Sequence, residues 1–437
     1  MFAGTAKTDI TPSGPVWMDG MIRAHPSVGV HDPLYARALV LANAPDDPAT
    51  AYAIVSVDVC GLRTEDHTAA RRAAAMRSGI PVSQIIIATT HTHSGPATIG
   101  FFNQAETAYT QELISKLAVL VADAAAQLRP VVAGCASGRE DTISHYRRLL
   151  AKDGHVVMNW EPYPADQLVG PLGEPDPELG VLVARGMDGV PVAILFDHAG
   201  HPNVLSGDNY LLSAEYPGLA ERLLEAEFGG TAIFVNGAQG TMDIDGLRDR
   251  DWEGMERTGR ALASAVAAVV RKLDFQSLST ASQAEALRGG HINYTIPARR
   301  ITDCEWEWAQ RILAQTGGKM QAMADGVGDD YLAVLYRRLR ESQHQDIPIE
   351  QTCFCLGDSA WLTFPGELYT EIGQEIKRQS PFARTYIIGL ANGHVGYIPT
   401  RQAIHEGGYA EDTRRVDEAA ESIILAHSLS LLRQLRG

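Results

Sequence analysis

Short apolar runs in this chain alternate with longer stretches of helical spacing, and the order in which they alternate recurs. Leu34–Ala42 and Ala51–Cys60 are rich in Val, Leu, Ile and Tyr and are separated by Asn, Asp and Pro, as two hairpin strands would be. Thr64–Ser78 carries helical spacing closed by Gly79, Gln84–Thr90 reads as a third strand, and Glu106–Leu128 is an amphipathic helix stopped by Pro130. The succession restarts with strands at Leu179–Arg185 and Val190–Phe196 around a Gly186-Met187-Asp188-Gly189 turn. Helix Tyr216–Phe228, strand Thr231–Val235 and helix Trp252–Leu273 follow. A third round begins at Ile349–Leu356 and Ser359–Phe364, with helix Leu368–Arg378, strand Arg384–Leu390 and a final helix Glu411–Arg436.

The pattern predicts an α/β protein with mixed β-sheets flanked by helices, arranged as three pseudo-repeat units of strand, strand, helix, strand and helix over about 34–130, 179–274 and 348–437. Between the first two units lies an excursion with Tyr146-Arg147-Arg148 and a Pro/Gly-rich loop through Pro177, long enough to be functional rather than connective. Between the last two, over about 280–347, lies an insert: a strand near Ala284–Ile296, helices near Cys304–Gln315 and Tyr331–Arg340, and the expected role of a lid or flank. The Gly/Pro/Met-rich segment before His31 reads as irregular loop. The whole of 1–437 is taken as one domain.

If the units superpose, the second strands end at Asp58, His201 and Glu367, and the third strands at His91, the Asn236–Gly240 loop and Tyr397. Six strand ends would then meet, and in α/β proteins sites gather at the carboxyl ends of strands. The run Ile85-Ile86-Ile87 empties into Thr90-His91-Thr92-His93-Ser94-Gly95-Pro96. In extended backbone His91 and His93 project from one face about 7 Å apart. Such a pair suits either a metal or a hydrogen-bonded structural role. Two imidazoles, a carboxylate and a phenol together form a nitrogen/oxygen set suited to Zn²⁺ with a position left for water, and such an ion brings the pKa of bound water to about 7.

Composition narrows the partners. With 437 residues, 45% apolar, the chain can bury a large core. A net charge of −16 argues against nucleic acid and against an anionic membrane surface. No apolar run approaches the ~20 residues of a membrane helix and no signal-peptide core is read at the start, so a cytoplasmic protein without stable membrane association is expected. Five cysteines suggest no disulfide framework. There is neither a phosphate-binding loop nor a Gly-x-Ser-x-Gly elbow.

These residues bear a resemblance to the neutral (non-lysosomal) ceramidase family. It rests on Asp9-Ile10-Thr11-Pro12, Thr90-His91-Thr92-His93-Ser94-Gly95-Pro96, His201-Pro202, Ser213-Ala214-Glu215-Tyr216-Pro217-Gly218, Pro365-Gly366-Glu367-Leu368 and Gly396-Tyr397-Ile398-Pro399-Thr400, in that family's order. The resemblance implies a catalytic zinc held by His91, His201, Glu367 and Tyr397, with His93 as acid/base and Arg147 contacting substrate. It also marks two departures. Asp243 stands where the family carries a Ser that contributes to the active site, and neither the extra β-rich domain nor the secretion signal of longer ceramidases is read. The expected function is zinc-dependent hydrolysis of an N-acyl amide bond, on a small-molecule acyl amide or ester that is not securely ceramide. An ester or lactone hydrolase, or a non-catalytic ligand-binding homologue, are the alternatives.

Overall fold

The computed structural model describes residues 1–244, 250–273 and 287–437, and within them the apolar runs pair as three strand sets of like sense, the first two continuous in one eight-stranded sheet and the third a four-stranded sheet. The first holds β1 (Phe2–Asp9), β2 (Tyr35–Ala42) and β3 (Ala51–Val57) in antiparallel sequence. Helix α1 (Thr64–Ser78) then crosses to β4 (Ile85–Thr89), which lies parallel to β3, and α2 (Thr107–Ala126) returns over the sheet. The second is built from β5 (Arg129–Arg139), β6 (Glu178–Gly186), β7 (Pro191–His198), α3 (Glu215–Phe228), β8 (Thr231–Asn236) and α4 (Trp252–Lys272). Its pairings run antiparallel, antiparallel, parallel in the same order. In the third, β9 (Arg288–Ile296) is separated by helices α5 (Asp303–Thr316) and α6 (Asp329–Ser342) from β10 (Ile347–Leu356) and β11 (Ser359–Thr363). Helix α7 (Thr370–Gln379) and β12 (Arg384–Ile388) complete it, again with the last pair parallel.

Strand periodicity explains how the sheets assemble. Leu39, Ile54 and Ile86 of the first, Leu182, Leu195 and Ile233 of the second and Phe354, Trp361 and Ile388 of the third enter one buried cluster. The alternate residues face outward under helices: Val40, Val55 and Ile87 meet Leu113 and Leu117 of α2, Phe234 meets Leu224 and Leu262, and Leu362 meets Ile372 and Ile424. Every residue of β4 is buried, as expected of a parallel strand covered on both faces. The first two sheets join where Phe2 and Ala3 pair with Pro130 and Arg129.

The sequence reading differs from the fold at three places. Residues 129–139, taken as the end of a helix and the start of an excursion, form β5; Pro130 sits at its beginning, where a missing N–H is tolerated. The predicted final helix is broken into Tyr409–Thr413 and Ala420–Arg436, because Val416 bridges to Ala298 between them. Asp58 does not reach the shared site: it is buried, its carboxylate 3.1 Å from Arg37, which also meets Glu221 at 2.8 Å. The predicted start of the insert strand, 284–286, lies outside the described residues.

Loops at the carboxyl ends are tied across sheets. Asn392 Oδ1 accepts from Ile87 N at 2.9 Å, and Asn236 Nδ2 donates to Gly200 O at 2.8 Å while its carbonyl receives Gly389 N at 2.8 Å. Helices α5 and α6 of the insert pack with Ile22, Phe101 and Phe102 against this end.

Candidate metal centre

Four of the expected ligands meet. His91 follows β4, His201 follows β7, Glu367 follows β11 and Tyr397 follows β12, so the four side chains converge from the ends of four strands, with Glu367 and Tyr397 paired side by side in parallel backbone. His91, His201 and Glu367 offer ligand atoms that lie within 4.8 Å of one another. Glu367 Oε2 stands 3.4 Å from His91 Nε2 and 3.2 Å from His201 Nε2, and the Tyr397 hydroxyl is 3.4 Å from His201 Nε2.

The donor set is oriented as a metal site requires. His91 Nδ1 donates to Cys60 O at 2.7 Å and His201 Nδ1 to Met242 O at 2.6 Å, which turns both Nε2 atoms toward Glu367. A backbone carbonyl behind each imidazole fixes its tautomer and raises its basicity. The residues present therefore fit a Zn²⁺-type ion.

The expected geometry of the histidine pair is corrected. The strand stops at Thr89, and His91 takes φ 72°, so the run is not extended through His93. This turn brings the rings to 4.8 Å between centroids, edge to face, with the two Nε2 atoms 3.3 Å apart. His93 thus points at the same centre as His91. Its approach is made possible by Gly20, where a Cβ would lie 2.4 Å from His93 Cγ.

Electrostatics divide the groups. Burial would raise the Glu367 carboxyl, but the flanking His91 and His201 outweigh it and hold it well below the carboxylate range. Burial would also lower His91, and Cys60 and Glu367 hold it well above the usual value instead. Glu367 and His91 thus form an ion pair whose proton a cation would displace. His93 is driven well below its usual range by burial and by the other two imidazoles, so it stands neutral beside the pair. Burial and the Glu367 charge keep Tyr397 a phenol.

Arg147 is buried, with its guanidinium over the rings of Tyr397, Trp160 and Tyr409 at 4.7, 5.6 and 5.7 Å. Its NH1 lies 3.5 Å from both the Tyr397 hydroxyl and His201 Nε2. Asp243 is buried in the wall of the same chamber, its Oδ1 accepting from Ile244 N at 2.8 Å.

Several lining residues escaped sequence reasoning. Gly20, Cys60, Phe101, Phe102 and Tyr409 lie in segments with no motif of their own. Trp160 and Tyr331 could have been suspected, since the first sits in the long loop read as functional and the second in the insert read as a lid.

No family model and no curated protein matches the sequence. Among solved structures, neutral ceramidase from Pseudomonas aeruginosa superposes with a TM-score of 0.74 at 17% identity, covering 100% of this chain and 74% of that one. The chain has the neutral ceramidase fold. A ceramidase complexed with C2 matches equally, at TM-score 0.74 and 17% identity, over 100% of this chain and 75% of that one. The ceramidase fold thus agrees with the mixed α/β architecture expected from the strand pattern. Among the described residues no helix is long and apolar enough to cross a membrane.

Proposed function

We propose that this protein is a zinc-dependent hydrolase that cleaves an N-acyl amide bond with an activated water. The observation that carries the reading is the convergence of His91 Nε2, His201 Nε2 and Glu367 Oε2 within 4.8 Å, with both imidazoles braced from behind by backbone carbonyls. The ceramidase fold supports the same reading. A zinc ion bound there would supply Lewis acidity and hydroxide near neutral pH.

The chain's own groups do the rest. Neutral His93 presents Nε2 to the centre, accepts the proton of the attacking water and returns it to the leaving nitrogen. Arg147 NH1, on the Tyr397 and His201 side, faces the oxygen on which negative charge develops and stabilises it by a charge-assisted hydrogen bond. Buried Asp243 faces the leaving side of the chamber.

Metal analysis and turnover test the proposal together. Purified protein should hold about one zinc per chain and hydrolyse short N-acyl amides, and His91→Ala should lose both. Full metal content and rate in His91→Ala would refute it. Matched esters run in parallel separate an amidase from an ester or lactone hydrolase, and stoichiometric zinc without turnover on either class would identify a binding protein.

A further inference from the structure

The metal centre is flanked by two unlike compartments. On one side Ile99, Phe101, Phe102, Tyr331 and Leu335 form the apolar wall of a cavity of about 60 Å³ beside His91 and Glu367, with His394 and Arg415 at its margin. One water needs at least ~10–15 Å³ of such space, so roughly four to six non-hydrogen atoms fit, a short acyl group. On the other side lies the chamber of Arg147, Asn203 and Asp243. Through Trp160, Tyr409 and Gly326 it adjoins a vestibule of about 760 Å³.

What distinguishes the second chamber is its unspent hydrogen-bonding capacity. Arg147 Nε and NH2, Asp243 Oδ2 and Asn203 Oδ1 are all buried, and none has a hydrogen-bond partner among the described residues. The three residues are 2%, 1% and 4% exposed. Leaving such groups unpaired costs free energy that a ligand recovers. The Nε/NH2 edge of a guanidinium is shaped for the two oxygens of a carboxylate, whereas Asp243 Oδ2 and Asn203 Oδ1 are acceptors and require N–H donors.

We propose that the amine half of the substrate is an α-amino acid, so that the enzyme hydrolyses short-chain N-acyl α-amino acids. The carboxylate occupies the free edge of Arg147, the scissile nitrogen faces Asp243 and Asn203, and the side chain extends toward the vestibule. Water adds across the amide: the C–N bond breaks, a C–O bond forms, and a proton passes to nitrogen, releasing a short carboxylic acid and a zwitterionic amino acid. The ammonium so formed is the partner Asp243 lacks. This rests on the hydrolase reading and names the substrate class of that site.

The test compares three series on zinc-loaded protein: N-butanoyl-phenylalanine and -leucine, their amino-alcohol counterparts, and their decarboxylated amines. We expect kcat/KM for the carboxylates to exceed both other series about 100-fold, as a site built to hydrogen-bond a missing group discriminates strongly. In Arg147→Lys, which lacks the fork, that ratio should fall below about 10. Equal rates across the series, or preference for the alcohols, overturn the amino-acid assignment and leave the hydrolase standing. If no amide is hydrolysed, the hydrolase reading falls instead. Calorimetry with free phenylalanine against phenylalaninol then decides the chamber by itself: tighter binding of phenylalanine supports the assignment, and equal or weaker binding overturns it.

Discussion

Gly20→Ala isolates the role of His93 from that of the metal ligands. Gly20 has φ 90°, and a Cβ built there lies 2.4 Å from His93 Cγ and 2.7 Å from His93 Cβ. An ordinary contact begins near 3.4 Å, so one partner must give by about 1 Å. The Gly20 loop has little room, because Asp19 N donates to Gly95 O at 3.2 Å and Asp19 Oδ2 accepts from Ile99 N at 2.7 Å. The imidazole therefore moves. A misplacement of about 1 Å in a group that must meet a reacting proton costs about 100-fold in rate. The left-handed conformation adds about 1–2 kcal/mol of strain for alanine, which lowers stability without unfolding a chain of this size. The atoms nearest a Gly20 Cβ all belong to His93, so zinc per chain should stay at the wild-type value while kcat/KM falls about 100-fold, with elemental analysis and initial rates on one amide as the assays. An undiminished rate in a folded, zinc-loaded Gly20→Ala protein would refute the argument that His93 works from the position Gly20 permits.

Other outcomes follow from the same residues. Glu367→Gln removes the charge between two imidazoles and should lower zinc content and turnover together, by at least about 100-fold in affinity, read by metal titration; retention of both would remove Glu367 from the ligand set. Burial pushes Asp197 up to about 8, against about 3.9 unfolded, so its contribution to stability is full below about pH 4 and is lost as pH rises through 8. Asp197→Asn keeps the acceptor for Gly180 N and should flatten urea-midpoint stability between pH 6 and 8; an unchanged slope would contradict the assignment. Burial, with His394 and Arg71, lowers His67 to about 3, so stability from its neutral form is full above about pH 6.5 and lost as pH falls through 3. His67→Leu should therefore gain resistance at pH 4 to 5 relative to wild type, and no gain would mean the imidazole is not buried uncharged.

Most sheet strands were legible because alternation and turn residues are local signals, as Gly186-Met187-Asp188-Gly189 between β6 and β7 illustrates. The candidate ligands were legible because each stands just past an apolar run. What stayed hidden was decided by distant partners. Asp58 occupies the strand end that sequence logic assigns to a site, yet Arg37 on the neighbouring strand captures it. Residues 414–419 carry no Gly or Pro, and only pairing of Val416 with Ala298 breaks the helix there. The His-x-His run reads as strand because nothing local announces that His91 leaves extended backbone, a choice enforced by Val59 O accepting its N–H at 3.1 Å.

The distribution of backbone strain ties these points together. Among the described residues, the non-glycine positions with positive φ are His91 at 72°, Glu215 at 57°, Leu390 at 51° and Asn392 at 64°. Each sits in, or braces, a loop that delivers a ligand. Glu215 is buried and its carboxylate accepts Val204 N at 3.2 Å and Leu205 N at 3.0 Å, pinning the loop that leaves His201. Leu390 O accepts Thr89 N at 3.3 Å, just before His91, and Asn392 closes the adjacent edge through Ile87 N. Conformations of this kind cost about 1–3 kcal/mol each and survive only where packing over-determines them. Here three sheets sharing one core supply that packing, and the turns they enforce aim His91, His201 and Glu367 at one point. The candidate site is thus a property of how the strand sets close on one another, which is why a single strand with its two histidines was ambiguous while the joined strand ends bring His91, His201 and Glu367 together.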